Sequence, residues 1–390
     1  MTTIFATTSS GIEDLAAKEI QEILGKKVYI DGPGRITFNV NKLEEAVRVL
    51  YLARLVKRVM LKLAAVSLDG TQNDLKKMYD AVNSSDLSSF LTSKDSFAVR
   101  SKRVGKHEYT SIDVSRVTGQ AVIDRIIKEK GYRQKVDLDK PDVIFRSYVL
   151  YDCFYFALDL TGDTSLERRG YRTEVHLHPA SLSPILAACM LRLTGWNGTQ
   201  VLLDPMCGLG TICIEAACMA RKIPAAYLRK SSLQVVKRPP SPSLNLEHVF
   251  NELDTKIEWH RKPFIIGSDI KEKYIRGARK HAEKIIVHDT INFNVKKLED
   301  YIIDQQGSID LIVSNPPYGL RVGHPKKVEA VYHTLFKVAH HLLTDNGKLC
   351  IITPHTKLVE TLSEKENLPV KHERWVKYGN LNVKIFMCEK

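Results

Sequence analysis

The residues with the clearest capacity for chemistry are Asn315, Pro316, Pro317 and Tyr318, which follow the apolar run at residues 310–314. Two consecutive prolines end the hydrogen bonding of a strand and leave the Asn315 side chain and nearby carbonyls unpaired at its carboxyl end. An amino group on an aromatic ring needs two acceptors to hold its hydrogens while its lone pair turns toward an electrophilic methyl group. Asn315 Oδ1 and the Pro316 carbonyl can supply them, and Tyr318 can stack on the ring. The motif predicts a site for the exocyclic amine of a base, with an ordinary loop as the alternative.

A second candidate site follows an apolar run that ends in Asp204 and continues into Pro205, Cys207, Gly208, Gly210 and Thr211. The absent side chains at Gly208 and Gly210 let the backbone approach a ligand at the carboxyl edge of a sheet. The loop lacks the G-x-G-x-x-G pattern of dinucleotide sites and the G-K-[ST] ending of phosphate loops, so neither NAD nor ATP is indicated. It predicts another nucleoside cofactor, against the alternative of a plain tight turn.

Two carboxylates narrow the choice of cofactor. Asp204 can hold the amino group of S-adenosylmethionine directly or through water. Asp269, at the end of the next predicted strand, offers two acceptor oxygens to a ribose diol. Ile270, which follows Asp269, and Asn315 complete the predicted contacts. The sequence therefore predicts S-adenosylmethionine as the cofactor.

The elements that must position these residues alternate between apolar strand, glycine turn and helix. Buried parallel strands are predicted at residues 201–204, 264–269, 309–314 and 348–353, and a last strand at 381–388 is predicted in a terminal hairpin. A joining helix is predicted over residues 183–193, with Gly195 at its end. This pattern predicts an α/β fold built on a sheet of buried parallel strands.

Two smaller α/β modules are predicted before that sheet. The first has strands at residues 4–7, 28–30 and 35–40 and helical spacing at 12–23 and 43–56. The second has a strand at residues 97–101, a helix that begins at Ser111 and ends at Gly131, and strands at 143–150 and 153–160.

The charge balance favours a polyanionic partner. The 390 residues include 58 Lys and Arg against 45 Asp and Glu, a net charge of +13. Basic side chains concentrate at residues 100–109 and 221–246, and the second interval contains no acidic residue before Glu247. Each interval predicts either a phosphate-contacting surface or an ordinary solvated face.

The seven cysteines predict no metal site and no disulfides, because they show no C-x-x-C spacing and lie mostly within apolar segments. The first residues lack the basic start and apolar run of a signal peptide, and no stretch has the length of a membrane span. A cytoplasmic protein without a membrane partner is expected.

Here the sequence resembles a known family. The motifs at Asp204–Thr211 and Asn315–Tyr318 resemble those of Rossmann-like methyltransferases that modify amino groups. Residues 97–172, ending in Glu-Arg-Arg-Gly-Tyr-Arg, resemble a THUMP domain. The order of an N-terminal ferredoxin-like module, THUMP and methyltransferase is similar to the THUMP-domain tRNA guanine-N2 methyltransferases that modify guanosine 6 of the acceptor stem.

The resemblance implies a division of the chain and a set of functional residues. It implies a ferredoxin-like module at residues 1–60, a THUMP domain at 61–172, a linker and joining helix at 173–200, and a methyltransferase domain at 201–390 with a basic insertion at 221–262. Asn294 corresponds to the position near the adenine amino group, where the family usually has Asp. If the THUMP domain grips tRNA, the expected phosphate contacts are Arg100, Lys102, Arg103, Lys106, Arg168, Arg169 and Arg172.

The expected reaction is direct in-line methyl transfer, without a metal, to N2 of a guanosine flipped out of its stack in tRNA. Enzymes for tRNA position 10 tend to have Asp in place of Asn315, which favours position 6. Methylation at position 10, of 23S rRNA or of adenine N6 in DNA remains open, as does an RNA-binding protein with a silent fold. The oligomeric state is open, with a monomer favoured.

Overall fold

The computed structural model describes residues 1–172, 181–319 and 325–390, without the side chains of residues 325 and 326. The described chain forms two compact units. The first contains Met1–Thr7, Ala17–Leu166 and Arg229–Asn251, and the second contains Thr8–Ala16, Glu167–Leu228 and Glu252–Lys390. Both units combine helices with a sheet, so the predicted α/β class is confirmed.

The elements of the N-terminal part are, in chain order, β1 (Thr2–Thr8), α1 (Glu13–Leu24), β2 (Val28–Ile30), β3 (Arg35–Val40), α2 (Leu43–Leu52), β4 (Val56–Ser67), α3 (Asp74–Asn83), β5 (Ser96–Val104), α4 (Ser111–Lys130), β6 (Lys135–Val136), β7 (Val143–Leu150) and β8 (Cys153–Asp159). They are followed by α5 (Pro184–Thr194), β9 (Leu202–Asp204), α6 (Thr211–Ala220), α7 (Gln234–Lys237), α8 (Leu246–Asp254), β10 (Ile265–Asp269), α9 (Glu272–Lys284), β11 (Ile291–Val295), β12 (Ile309–Ser314), α10 (Pro325–Leu342), β13 (Leu343–Thr353), α11 (Thr356–Lys365), β14 (Val370–Tyr378) and β15 (Leu381–Glu389).

One sheet runs through the first unit, in the order β2-β3-β1-β4-β8-β7-β5-β6. Strand β4 pairs antiparallel with β8, so that Met60 lies opposite Asp159. The strands of the ferredoxin-like module and of the THUMP domain thus belong to one sheet. The boundary expected between these two modules, after residue 60, falls inside β4.

Helix α4 shows how local sequence determines an element in this unit. The Thr110 hydroxyl accepts a hydrogen bond from the Asp113 backbone N–H, and the Asp113 carboxylate accepts one from Thr110 N–H. This reciprocal cap satisfies donors that the first turn leaves without helical partners. Gly131 adopts φ +77° at the other end, a conformation that favours glycine. The expected bounds at Ser111 and Gly131 are confirmed.

The basic segment Arg229–Asn251 packs within the first unit. Arg229 donates to the Ser165 carbonyl at 2.7 Å and to the Thr164 carbonyl at 3.1 Å. Arg238 forms an ion pair of 2.7 Å with Asp95. These guanidinium groups bind the protein itself, so the positive charge of this segment does not by itself indicate an RNA surface.

The sheet of the second unit has the order β11-β10-β9-β12-β13-β15-β14. Strands β11, β10, β9, β12 and β13 pair in parallel, and β15 runs antiparallel to both β13 and β14. The chain passes from β9 to β10 on one side and later adds β12 on the other. Open α/β sheets bind ligands at such a switch point, where the carboxyl ends of neighbouring strands meet.

Six of the seven cysteines are buried, as expected from their apolar surroundings. Across the described ranges, no helix combines the length and apolar character needed to cross a bilayer. The same residues contain no group of three His, Cys, Asp or Glu side chains arranged to hold a metal ion.

Candidate active site

The loop between β9 and α6 is shaped by two glycines that serve different purposes. Gly208 has φ +52°, and a Cβ added there would meet nothing within 4 Å. Gly210 has φ +77°, and a Cβ there would lie 2.9 Å from Phe293 Cζ and 3.0 Å from Ala278 Cβ. Gly208 therefore exposes backbone to open space, whereas Gly210 allows close packing of the loop against α9 and β11.

Asp269, at the end of β10, supports this loop. Its Oδ2 accepts a hydrogen bond of 3.2 Å from Gly208 N–H, and its Oδ1 accepts one of 2.8 Å from Lys271 N–H. The Ser268 carbonyl accepts a further bond of 2.7 Å from Cys207 N–H. The structure thus brings Asp269 to the glycine loop, as the sequence predicts, and its contact with a ribose stays a prediction.

Asp204 lies beneath the loop, with 2% of its surface exposed. Its Oδ1 accepts a bond of 2.8 Å from the Ser314 hydroxyl and one of 3.2 Å from Met206 N–H. Burial raises the pKa of Asp204 to about 7, and the nearby Asp269 charge acts in the same direction, while the bonds from Ser314 and Met206 oppose both. A cationic group nearby would favour the ionised carboxylate. Its predicted contact with the cofactor amino group remains a proposal.

The acceptor motif after β12 is held by contacts of its own. The Tyr318 hydroxyl donates a hydrogen bond of 2.8 Å to Asn315 Oδ1. The Tyr318 carbonyl lies 2.9 Å from His355 Nε2, which donates to it when that nitrogen is protonated. Burial raises the pKa of the Tyr318 phenol, which keeps it protonated as a donor near neutral pH. Because an amide oxygen has two lone pairs, Asn315 can accept from Tyr318 and from an amino group of a substrate.

Strand register brings most of the predicted site together. Leu203 lies opposite Ile312, so Asp204 on β9 and the motif after β12 reach the same edge of the sheet. Asn294 on β11 lies beside Ser268 on β10, and Ile270, just past β10, is 61% exposed. Asn294 and Ile270 therefore lie at the same sheet edge, and their contacts with a nucleoside stay predictions.

Several supporting residues have no obvious signal in the sequence. Tyr301 donates a bond of 2.9 Å to Ser268 Oγ, which in turn donates to the Pro205 carbonyl at 3.3 Å. His355 contacts the motif from a distance of 37 residues along the chain. Ser314 alone could have been suspected, because it is a hydroxyl residue directly before Asn315 at the end of an apolar strand.

The predicted RNA contacts in the first unit divide into two groups. Arg100 donates to Asp163 and to the Leu138 carbonyl, at 3.1 and 2.7 Å, and Arg103 donates to the Gly105 carbonyl at 3.0 Å. Lys102 and Lys106 are exposed, and neither side chain forms a hydrogen bond or ion pair with a described residue. These two lysines are the ammonium groups of this stretch that remain available to a phosphate.

The other predicted phosphate contacts, Arg168, Arg169 and Arg172, lie in different environments. Arg168 is exposed. Arg169 is 4% exposed and its Nε lies 3.3 Å from Glu215 Oε1. Arg172 donates a bond of 2.8 Å to Thr211 Oγ1. Both guanidinium groups therefore have protein partners on α6, and the phosphate contacts of Arg169 and Arg172 stay predictions.

The residues at the sheet edge fit a nucleoside cofactor with a positive charge. A side chain at Gly208 would meet open space, and the carboxylates of Asp204 and Asp269 each accept a hydrogen bond from a backbone N–H of the loop. A family model described as "RMKL-like, methyltransferase domain" matches residues 169–384. The chain belongs to this methyltransferase family.

Other comparisons describe the rest of this RMKL-like methyltransferase. A THUMP domain model matches residues 72–159, and a model described as "RlmL ferredoxin-like domain" matches residues 3–60. Both modules that the resemblance implied are thereby confirmed, and S-adenosylmethionine is the cofactor of the methyltransferase domain.

Two curated relatives match the methyltransferase over nearly its full length. A Methanocaldococcus jannaschii protein named tRNA (guanine(6)-N2)-methyltransferase is 34% identical over 391 residues, covering 98% of each chain. An Archaeoglobus fulgidus protein of the same name is 36% identical over 389 residues, covering 98% of this chain and 91% of the relative. The crystal structure of SMU.472 with SAH has a TM-score of 0.86 at 23% identity, covering 99% of this chain and 97% of that one, which supports the fold.

Proposed function

We propose that this enzyme transfers the methyl group of S-adenosylmethionine to N2 of guanosine 6 in tRNA. The observation that carries the proposal is the position of the Asn315–Tyr318 acceptor motif at the same sheet edge as the glycine loop. The names of the two archaeal relatives support tRNA as the substrate and position 6 as the target.

The reaction needs an amine held with its lone pair toward an electrophile. The cofactor supplies an electrophilic methyl group on a positively charged sulfur. Asn315 Oδ1 and the Pro316 carbonyl accept the two hydrogens of the guanine amino group and fix its orientation. The cofactor would give up its methyl group and keep the electron pair of the carbon–sulfur bond on sulfur, while Asn315 and Pro316 hold the amine and its extra proton leaves for solvent.

Tyr318 has two roles in this proposal. Its ring stacks on the flipped base, and its hydroxyl bond of 2.8 Å holds the Asn315 amide in one rotamer. A fixed amide lowers the entropy that must be lost when the amine binds. We further propose that the enzyme needs no metal, because the sulfonium already activates the methyl group. We also propose that it acts in the cytoplasm as a monomer.

Nucleoside mass spectrometry tests the proposal directly. Unmodified tRNA transcripts are incubated with the protein and labelled S-adenosylmethionine, then digested and mapped by position. N2-methylguanosine at position 6 is expected, and a transcript without guanosine 6 should receive no label. Methylation at position 10, in 23S rRNA or at adenine N6 of DNA would contradict the proposal. Binding of both cofactor and tRNA with no product would indicate a silent fold.

A further inference from the structure

Residues Arg169, Tyr171 and Arg172 belong to the second unit and contact its helix α6. Arg169 Nε and the Tyr171 hydroxyl contact the same oxygen, Glu215 Oε1, at 3.3 and 3.2 Å. Glu215 belongs to α6 and is almost fully buried, as are Arg169 and Tyr171. A buried carboxylate is stabilised by such charged and hydroxyl donors, and losing one partner is strongly destabilising. This cluster therefore anchors residues 169–172, called here the Arg169–Arg172 segment, to α6.

Arg172 extends the contact to the start of the same helix. Its Nη2 donates a bond of 2.8 Å to Thr211 Oγ1 and a second bond to the Leu182 carbonyl. Thr211 is the first residue of α6 and directly follows Gly210 of the cofactor loop. One guanidinium nitrogen thus links Thr211, which directly follows the loop, with Leu182, two positions before α5.

Tyr171 approaches the loop by a second route. Its ring centre lies 6.3 Å from that of His281, a fully buried residue of α9. His281 Nδ1 lies 3.4 Å from the Leu209 carbonyl, which accepts a hydrogen bond when this nitrogen carries the proton. Leu209 stands between the two loop glycines, so the segment supports both the middle and the end of the loop.

The loop needs such external support for a physical reason. Gly208 and Gly210 both adopt positive φ, and glycine loses more backbone entropy on ordering than any other residue. Contacts that hold the loop before the ligand arrives reduce the entropy lost on binding. We propose that Arg172 is a positioning residue for the cofactor: through Thr211 it keeps the Cys207–Gly210 loop in its binding conformation, while Arg169 and Tyr171 hold the segment against α6.

The inference rests on the proposed function only in requiring that the enzyme bind S-adenosylmethionine. The inference assigns Arg172 to cofactor binding, whereas the basic residues around Arg172 suggest an RNA contact. The two roles predict different results for the same Arg172 variant. Loss of a positioning residue weakens cofactor binding without RNA, and loss of a phosphate contact weakens RNA binding and its salt dependence.

The test is calorimetric titration of S-adenosylmethionine into the full-length protein without RNA. Arg172→Ala and Thr211→Val should each raise Kd about tenfold, the size expected for losing one hydrogen bond to a charged group. The double variant should resemble each single variant, because both remove the same contact. Multiplied effects, near a hundredfold, would overturn the inference, since Thr211 and Arg172 would then act separately. Unchanged Kd values would overturn it as well.

Controls separate this inference from a folding defect and from the proposed function. Arg172→Lys keeps one donor and should recover much of the affinity, and Arg168→Ala, an exposed neighbour, should leave cofactor Kd unchanged. In steady state, Arg172→Ala should raise KM for S-adenosylmethionine about tenfold with kcat within about threefold, because saturating cofactor restores the loop. If Arg172→Ala instead lowers tRNA affinity with unchanged cofactor Kd, Arg172 is an RNA contact and the inference is wrong. A wild-type protein that binds no cofactor would contradict the proposed function itself.

Discussion

The Ser314 hydroxyl donates a hydrogen bond of 2.8 Å to Oδ1 of Asp204 and so joins the ends of β12 and β9. Asp204 directly precedes the cofactor loop, and Ser314 directly precedes Asn315. Asp204 is buried and its pKa is raised to about 7, above its ordinary value of 3.8. The bond therefore connects the two halves of the active site through a carboxylate that changes charge near neutral pH.

Asp204 should make stability depend on pH in a defined direction. Its folded-state pKa lies above the unfolded value, so the stabilisation given by its protonated form is complete below pH 3.8 and is lost as the pH rises through about 7. Asp204→Asn remains neutral throughout. The Tm of this variant relative to wild type should rise between pH 5 and 8, by roughly 2–4 °C per kcal/mol regained. Differential scanning calorimetry of both proteins without cofactor measures this, and a pH-independent difference would contradict it.

Asn315→Ala should lower kcat by at least about 100-fold, because the guanine amine loses an acceptor that fixes its orientation. Cofactor affinity should stay within about twofold of wild type, since the affected acceptor serves the reacting amine. Single-turnover methylation of tRNA and cofactor titration measure the two quantities. Full turnover in the variant would remove Asn315 from the mechanism.

Tyr318→Phe and Tyr318→Ala should separate the two proposed roles of this residue. Phe keeps a ring for stacking but lacks the hydroxyl that bonds Asn315 at 2.8 Å, so kcat should fall about tenfold. Ala also loses base stacking and should fall by a further tenfold or more. Rates of methyl transfer at saturating cofactor and tRNA distinguish the variants. Equal rates for the two variants would mean that stacking contributes nothing.

RNA binding should depend more on the exposed side chains of Lys102, Lys106 and Arg168 than on Arg100, which is only partly exposed. The Lys102/Lys106/Arg168 triple alanine variant should lower the slope of log affinity against log salt by up to about 2–3, because each lost phosphate contact releases one fewer counterion. Arg100→Ala is the comparison, since Arg100 is bound to Asp163 and the Leu138 carbonyl. Titrations of tRNA binding between low and moderate salt provide the measurement. A wild-type slope in the triple variant would place the RNA surface elsewhere.

The strands that carry the active site could be predicted from the sequence because their signals are local. Strands β9 and β10 each begin with apolar residues and end in Asp, and β12 is a mostly apolar run followed by Asn315 and two prolines, which cannot continue the hydrogen bonding of a strand. The chain positions of Asp204, Asp269 and Asn315 at the ends of those strands follow from the same signals.

The fate of the basic residues could not be predicted, because it depends on distant partners. Arg169 follows another arginine and precedes a glycine, a pattern typical of a solvated loop, but its partner Glu215 lies 46 residues further along the chain. The end of α2 was placed too late for a similar reason. Backbone N–H groups of Arg54 and Leu55 donate to Glu19 Oε2 at 3.0 and 2.9 Å, so the chain leaves the helix after Leu52 despite continuing apolar spacing.

The interleaving of the two units along the chain has a consequence for synthesis on the ribosome. The first unit includes Arg229–Asn251, where Phe250 packs against Tyr51 with ring centres 4.8 Å apart, and the second includes Thr8–Ala16. Domains usually complete their folding in order as the chain emerges. Here the first unit lacks part of its own core until residue 251 has been translated, so its folding cannot be complete before Glu167–Leu228 of the second unit has also been synthesised.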